Sequence, residues 1–254
     1  MTSPPPKKRK SPARASRPAA APRDEAPPAV ISLPITLVVG TDTGVGKTWI
    51  SASLARALKL AGQQVIAVKP IETGITEPSS FAEDGALLAE ATGQAGPRRA
   101  LVRLPGHMGP AIAADQAGVE VDYEDLVARL RSLATPETML VVEGTGGLLS
   151  PLTWQDNHLD LAHSLDARVL LVAADRFGTI SHTLMALRVL RAEKIPVLGI
   201  VLNQVEETLD ESSRTNAMAI QRLAEGTPVV VVPRLDDPVQ AAEALKEVAG
   251  WILP

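Results

Sequence analysis

The sequence predicts a single α/β domain over residues 33–254, a doubly wound and mostly parallel β-sheet with helices on both faces, behind an N-terminal tail. Three observations predict it. Short β-branched runs alternate with helical patterns from residue 33 onward. Most of these runs are continuously apolar rather than alternating, as in strands covered on both faces. A glycine-rich segment, Gly40-Thr41-Asp42-Thr43-Gly44-Val45-Gly46-Lys47-Thr48, separates the first run from the first helical stretch.

In chain order, the β-branched run Ile35–Val39 predicts the first strand. A helix follows over Lys47–Ala61, where Ile50, Leu54, Leu58 and Ala61 recur at one or two turns. Gln64–Val68 reads as the second strand and Ala82–Glu90 and Tyr123–Leu133 as helices. Strands are then expected at Met139–Val142, Arg168–Ala173, Val197–Leu202 and Val229–Val232. Helices are expected at His158–Leu165, Ile180–Glu193, Glu211–Ala224 and Val239–Trp251. Such alternation implies right-handed crossovers between parallel strands. No internal repeat is found.

Residues 1–32 are rich in Pro, Ala, Ser and Arg, without a periodic apolar pattern, and read as a disordered tail. Pro4-Pro5-Pro6-Lys7-Lys8-Arg9-Lys10 resembles a nuclear import signal, but a solvated basic extension is the preferred reading; a proline-rich docking ligand is a third option. The tail carries seven Lys/Arg and two Asp/Glu, the remainder 18 and 27. An acidic body is a poor platform for nucleic acid, so none is expected there.

The 254 residues suffice for one large core. Aromatic residues make up 2%, leaving Val, Ile, Leu and Ala to fill it. No run of about eighteen uncharged apolar residues suggests a membrane span. No apolar signal-peptide core follows the basic start. The absence of cysteine removes disulfides, thiolate metal sites and cysteine nucleophiles, and fits a cytoplasmic protein.

The glycine-rich turn carries the chemistry. Between a strand and a helix it aims backbone N–H groups at one point, with the positive end of the helix dipole behind them. Lys47 supplies a cation for the outer phosphates, and the Thr48 hydroxyl suits Mg²⁺. The usual pattern has four residues between its first glycine and Gly-Lys-Ser/Thr. Here five separate Gly40 from Gly46, and Thr41 takes the standard glycine position.

Ligands of open parallel sheets bind beyond the carboxyl ends of the strands, so the residues just after each strand are the candidates. Lys69, heading Lys69-Pro70-Ile71-Glu72-Thr73-Gly74, would emerge beside Lys47, and two cations suit charge building on leaving phosphate oxygens. Glu143-Gly144-Thr145-Gly146-Gly147 offers a magnesium carboxylate and glycines for close approach. Asp84 adds an oxygen ligand or serves simply as a helix N-terminal acid. Gly178 and Thr179 open a helix, as an anion pocket or as plain capping. Asn203 has the donor and acceptor to read an adenine edge. Pro233-Arg234-Leu235 follows the last strand. His107, His158, His163 and His182 form no ligand cluster and read as surface or supporting residues.

These islands, in this order, resemble the dethiobiotin synthetase family of phosphate-loop NTPases. Gly-Thr-Asp-Thr-x-Val-Gly-Lys-Thr, with its longer gap, is distinctive of that family. Lys-Pro-x-x-Thr-Gly at Lys69–Gly74 and Val-Glu-Gly-x-Gly-Gly at Val142–Gly147 match as well. The resemblance covers Ile35 to Leu235 and none of the tail. It implies a homodimeric ATP-dependent cyclo-ligase using Mg²⁺. In that reaction 7,8-diaminopelargonic acid takes up CO₂ as a carbamate. ATP converts the carbamate to a carbamic–phosphoric anhydride, and the second amine closes the ring.

The resemblance further implies that Lys47, Lys69 and Thr73 are catalytic, and that Thr48, Asp84 and Glu143 surround the metal. The nucleotide would meet Thr43, Gly44, Val45, Gly46, Lys47, Thr48, Asp84, Glu143, Gly144, Gly146, Asn203, Pro233 and Leu235. The substrate would meet Thr41, Lys69 and Thr73, and Gly178, Thr179 and Ser181 across the dimer interface. The chain departs from the family pattern where Ser181 replaces a common asparagine, Gln204 a frequent aspartate and Thr145 the usual alanine.

Two rivals remain. The amidotransferase-coupled synthetases of cobalamin assembly need a cysteine-based glutaminase domain, which this chain lacks. The partition and septum-placement ATPases carry a signature lysine where this chain has Asp42.

Overall fold

A computed structural model of the chain describes residues 33–76 and 83–253. The expected tail over 1–32 and the start of the expected helix at Ala82 lie outside the described residues. Six strands form one parallel sheet: β1 (Ile35–Gly40), β2 (Gln64–Val68), β5 (Thr138–Gly147), β6 (Arg168–Ala174), β7 (Val197–Asn203) and β8 (Val229–Val232). Two more, β3 (Ile71–Glu72) and β4 (Val102–Arg103), pair in parallel as a separate ladder. The main sheet runs β2-β5-β1-β6-β7-β8.

Helices α1 (Lys47–Leu60), α2 (Asp84–Thr92), α3 (Pro110–Ala117), α4 (Tyr123–Leu133), α5 (His158–Leu165), α6 (Thr179–Ala192), α7 (Asn216–Leu223), α8 (Pro238–Ala244) and α9 (Lys246–Ile252) surround it. Alternate strand residues supply two cores. Leu37, Val39, Leu140, Val142 and Leu171 pack on one face with Leu130, Leu161 and Leu190. Val38, Val141, Leu170, Val172 and Val201 pack on the other with Ile50, Leu54, Leu58 and Val248. Both faces are thus dry, which is why the strands read as unbroken apolar runs. Among the described residues no helix is long and apolar enough to cross a membrane.

Several elements differ from expectation. β5 continues through Glu143 to Gly147 instead of ending at Val142, because Gly147 pairs with Gly40 beyond a register shift in β1. The expected helix over Glu211–Ala224 is a 3₁₀ turn at Glu211–Arg214 followed by α7; Asp210 caps the turn by accepting from Ser212 N. Short Ser and Thr side chains there compete for backbone groups and break the α pattern. The expected helix over Val239–Trp251 breaks at the fully buried Leu245, giving α8 and α9. The ladder β3–β4 and α3 were not anticipated, since two-residue strands carry no periodic signal.

The order of the sheet places the chemistry. β5 lies between β2 and β1. The three adjoining carboxyl ends therefore deliver Lys69, Glu143 and the glycine-rich loop side by side.

Candidate active site

The loop from Thr41 to Gly46 leads from β1 into α1, whose first residues are Lys47 and Thr48. Gly46 caps the helix at φ 83°, and a Cβ there would lie 2.1 Å from Asn203 Nδ2. Only glycine fits both the left-handed backbone and that approach. Lys47 is buried, and its ammonium donates to the Asp42 carbonyl at 3.0 Å. Burial, and then the neighbouring Lys69, lower its pKa to about 8.

Lys69, at the end of β2, is 3% exposed, yet it holds its charge. Its ammonium lies 2.6 Å from Glu143 Oε1, 2.8 Å from Asp84 Oδ2 and 3.3 Å from the Gly144 carbonyl. Burial works against the cation, but Glu143 and Asp84 outweigh it and hold the pKa above the ordinary lysine value. Thr48 Oγ1 donates to the same Glu143 Oε1 at 2.7 Å. Burial pushes the Glu143 carboxyl up, against the pull of Lys69. Its second oxygen, Oε2, is buried without a hydrogen-bond partner.

An orphaned buried oxygen beside a hydroxyl and a second, partly exposed carboxylate is a donor set suited to a hard cation. Among the described residues no group of three His, Cys, Asp or Glu gathers as a self-sufficient metal centre. The set therefore fits Mg²⁺, which takes one or two carboxylates and fills its octahedron with phosphate oxygens and water.

A cleft of about 580 Å³ opens over this cluster. Thr43, Gly44, Gly46, Lys47, Thr48, Lys69, Thr73, Asp84, Glu143 and Gly146 all line it. The cleft thus collects a cradle of backbone N–H groups, two lysines and three carboxylates, the third being Glu72. Among its described lining residues no Ser–His or Cys–His hydrogen bond marks an activated nucleophile; Ser150 Oγ accepts from Gly147 N. Positioning and electrostatics are what such a site supplies.

Residues 36–242 match the AAA domain family. An ATP-dependent dethiobiotin synthetase BioD of Anaeromyxobacter dehalogenans (strain 2CP-C) is 39% identical over 215 residues, 83% of this chain and 95% of the relative. That of Aquifex aeolicus (strain VF5) is 35% identical, over 85% of this chain and 96% of the relative. The chain belongs to the dethiobiotin synthetase family. A Pyrococcus furiosus cell division ATPase MinD structure aligns with TM-score 0.50 and 18% identity, covering 87% of this chain and 98% of that one. At that identity the likeness shows the fold alone.

Other expected residues of this dethiobiotin synthetase family member lie around the cleft. Val45 is buried behind the loop, with its carbonyl accepting from Asn203 Nδ2 at 3.1 Å. Gly144 is buried beneath Lys69. Asn203 and Leu235 line a smaller pocket of about 250 Å³ with Gly46 and Trp49, whose buried Nε1 has no hydrogen-bond partner. Pro233 is exposed next to that pocket without lining it. Gln204 lines the pocket as well, and its Nε2 donates to Asp175 Oδ2 at 3.2 Å.

Thr41 borders a third, mostly apolar groove of about 820 Å³ with Leu148, Leu149, His182 and Met185. Gly178, Thr179 and Ser181 do not line the main cleft. Gly178 caps α6, Thr179 is buried and Ser181 is exposed one residue before His182.

Sequence reasoning missed three contributors. Glu72 is a buried carboxylate lining the cleft, pushed up in pKa by burial. Thr145 Oγ1 donates to the Ile71 carbonyl, tying β5 to β3. His158 is fully buried, so of the two readings given for it the supporting one holds; its Nε2 accepts from Thr145 N at 2.9 Å. Burial, and then Lys47, lower its pKa to about 4, so the ring is neutral. The other three histidines are exposed. The only sequence signal for Glu72 was its place in the Lys69–Gly74 segment.

Proposed function

We propose that the chain carries out the ATP-dependent carboxylation and ring closure of 7,8-diaminopelargonic acid with CO₂, giving dethiobiotin, ADP and phosphate. Its membership of the dethiobiotin synthetase family supports this reading. The observation that carries it is the meeting of Lys69, Glu143 and Thr48 in a cleft over the glycine-rich loop.

One substrate amine adds to CO₂ and loses a proton, forming a carbamate. A carbamate oxygen attacks the γ-phosphorus of ATP, and ADP leaves. The second amine then attacks the carbamate carbon, phosphate departs, and the ureido ring closes. Both nucleophiles come from the substrate, so the chain has only to position and neutralise.

Lys47 exchanges the Asp42 carbonyl for phosphate oxygens. Lys69 offsets carbamate and phosphate charge, and Thr73 hydrogen-bonds the carbamate end. Thr48, Asp84 and Glu143 would hold Mg²⁺, which supplies charge neutralisation on the phosphates. Asn203 and Leu235 take the adenine, with Pro233 at the rim. Thr41, and Gly178, Thr179 and Ser181 from a second copy, take the far end of the diamine. A homodimer is part of this proposal, supported by the groove in which Leu149 and Met185 are more than half exposed. A cytoplasmic location is also part of it, supported by the cysteine-free composition.

Mass detection of the cyclised urea is the test. ATP turnover should appear only with both the diamine and bicarbonate. Turnover indifferent to the diamine but raised by DNA or lipid vesicles would sink the proposal in favour of a nucleotide switch of the partition type.

A further inference from the structure

Asp84 owes its place to the small ladder set apart from the main sheet. In that ladder Ile71 pairs with Val102 and Glu72 with Arg103. Each strand grips the start of α2. Glu72, 6% exposed, accepts from Asp84 N at 2.5 Å and from Gly85 N at 3.1 Å. Arg103 donates from Nε and Nη2 to the two oxygens of Glu83, at 2.9 and 2.7 Å.

The local cap does not do this work. Glu83 stands at the N-cap of α2 but makes no side-chain cap bond, since its carboxylate is engaged by Arg103. Two N–H groups left free at the helix start, those of Asp84 and Gly85, are satisfied instead from β3. Gly85 completes the seat: a Cβ there would fall 2.3 Å from Ala100 N, so the first turn lies flush on that backbone. Asp84 is flanked on both sides by restrained neighbours, while its own carboxylate points at Lys69.

We propose that Glu72, with Arg103 opposite it, is a positioning residue for the divalent-cation site, holding the α2 N-terminus so that the Asp84 carboxylate stays fixed beside Lys69 and Glu143. The inference rests on the reading of Asp84 as a Mg²⁺ ligand. Groups that orient a metal ligand without touching the metal govern affinity by about 10- to 100-fold.

The test uses the full chain, Mn²⁺ as a paramagnetic probe and a non-hydrolysable ATP analogue. Free Mn²⁺ is counted by electron paramagnetic resonance. Glu72→Gln keeps the volume and one acceptor oxygen, and should weaken Mn²⁺ binding about tenfold. Glu72→Ala should weaken it further. Analogue affinity measured in EDTA should stay within about twofold of wild type for both. Added to Asp84→Asn, either change should cost nothing more, because it acts through Asp84.

Glu72 variants that bind Mn²⁺ normally while Asp84→Asn is weakened overturn the positioning role alone. Losses that multiply in the double variant overturn it too, as does an equal loss of metal-free analogue binding. Normal Mn²⁺ binding by Asp84→Asn removes instead the reading of Asp84 as a ligand, and the proposal with it. Thermal melts of each variant establish that the fold is retained, and the Gln variant serves if the Ala variant fails to fold.

Discussion

Lys69 and Glu143 meet because Val68 and Val142 are register partners on the adjoining strands β2 and β5. Each is the residue immediately after its half of that pair, so a slip of one position would point them to opposite faces. The ion pair at the centre of the cleft is therefore a consequence of sheet register, which the two apolar cores enforce.

Lys69→Met should lower dethiobiotin formation about 10²–10³-fold, the range for removing one preorganised electrostatic contact. It also leaves Glu143 buried without its cation, at a cost of about 3–5 kcal/mol in unfolding free energy. Adding Glu143→Gln should restore much of the stability and none of the turnover. Urea titrations and product assays of the three proteins check this; stability that falls further in the double variant contradicts the pairing.

Lys47 should be half charged near pH 8 in the free protein and fully charged once a triphosphate replaces the Asp42 carbonyl. ATP binding near pH 8 then takes up roughly half a proton per site, and almost none at pH 6, where the lysine is already charged. Calorimetry in two buffers of different ionisation heat reads this uptake. Lys47→Arg, which stays charged, should abolish it; uptake that persists assigns the proton elsewhere.

His158 should make the fold acid-sensitive. Its folded pKa, about 4, lies below the unfolded 6.5. Its contribution, about 3 kcal/mol at most, is complete above pH 6.5 and disappears as pH falls to about 4. His158→Gln, which keeps an acceptor for Thr145 N, should flatten the slope of unfolding free energy over that interval. A slope equal to wild type would mean that other groups set it.

Thr145→Ala should cost about 1 kcal/mol, the worth of one hydrogen bond to the Ile71 carbonyl. Turnover should remain within about twofold, since the family pattern carries alanine there. Chemical denaturation and a product assay check both; a tenfold loss of rate would place the hydroxyl in the chemistry.

The parts of this site legible in the sequence are those fixed by strand ends. Lys69 and Glu143 each directly follow an apolar run, Lys47 ends the loop that follows another, and a parallel sheet gathers such ends at one rim. Glu72 and His158 were obscure for the same physical reason. Their partners, Asp84 N and Thr145 N, are backbone groups brought near by the tertiary fold, and backbone groups leave no mark in a sequence. α3, headed by Pro110 and mostly alanine, has too weak an apolar stripe to announce itself. The break at Leu245 arises because the chain must bend to keep Ala242 and Val248 on one core.

Trp49, lining the small pocket with Asn203 and Leu235, gives this nearly aromatic-free protein a built-in optical probe. Trp154 lies exposed and Trp251 packs against the core beneath α1 without lining the pocket, so they supply a background of indole light. A base entering beside Trp49 alters the surroundings of that one ring, and nucleotide arrival becomes visible as a change in emission without any label.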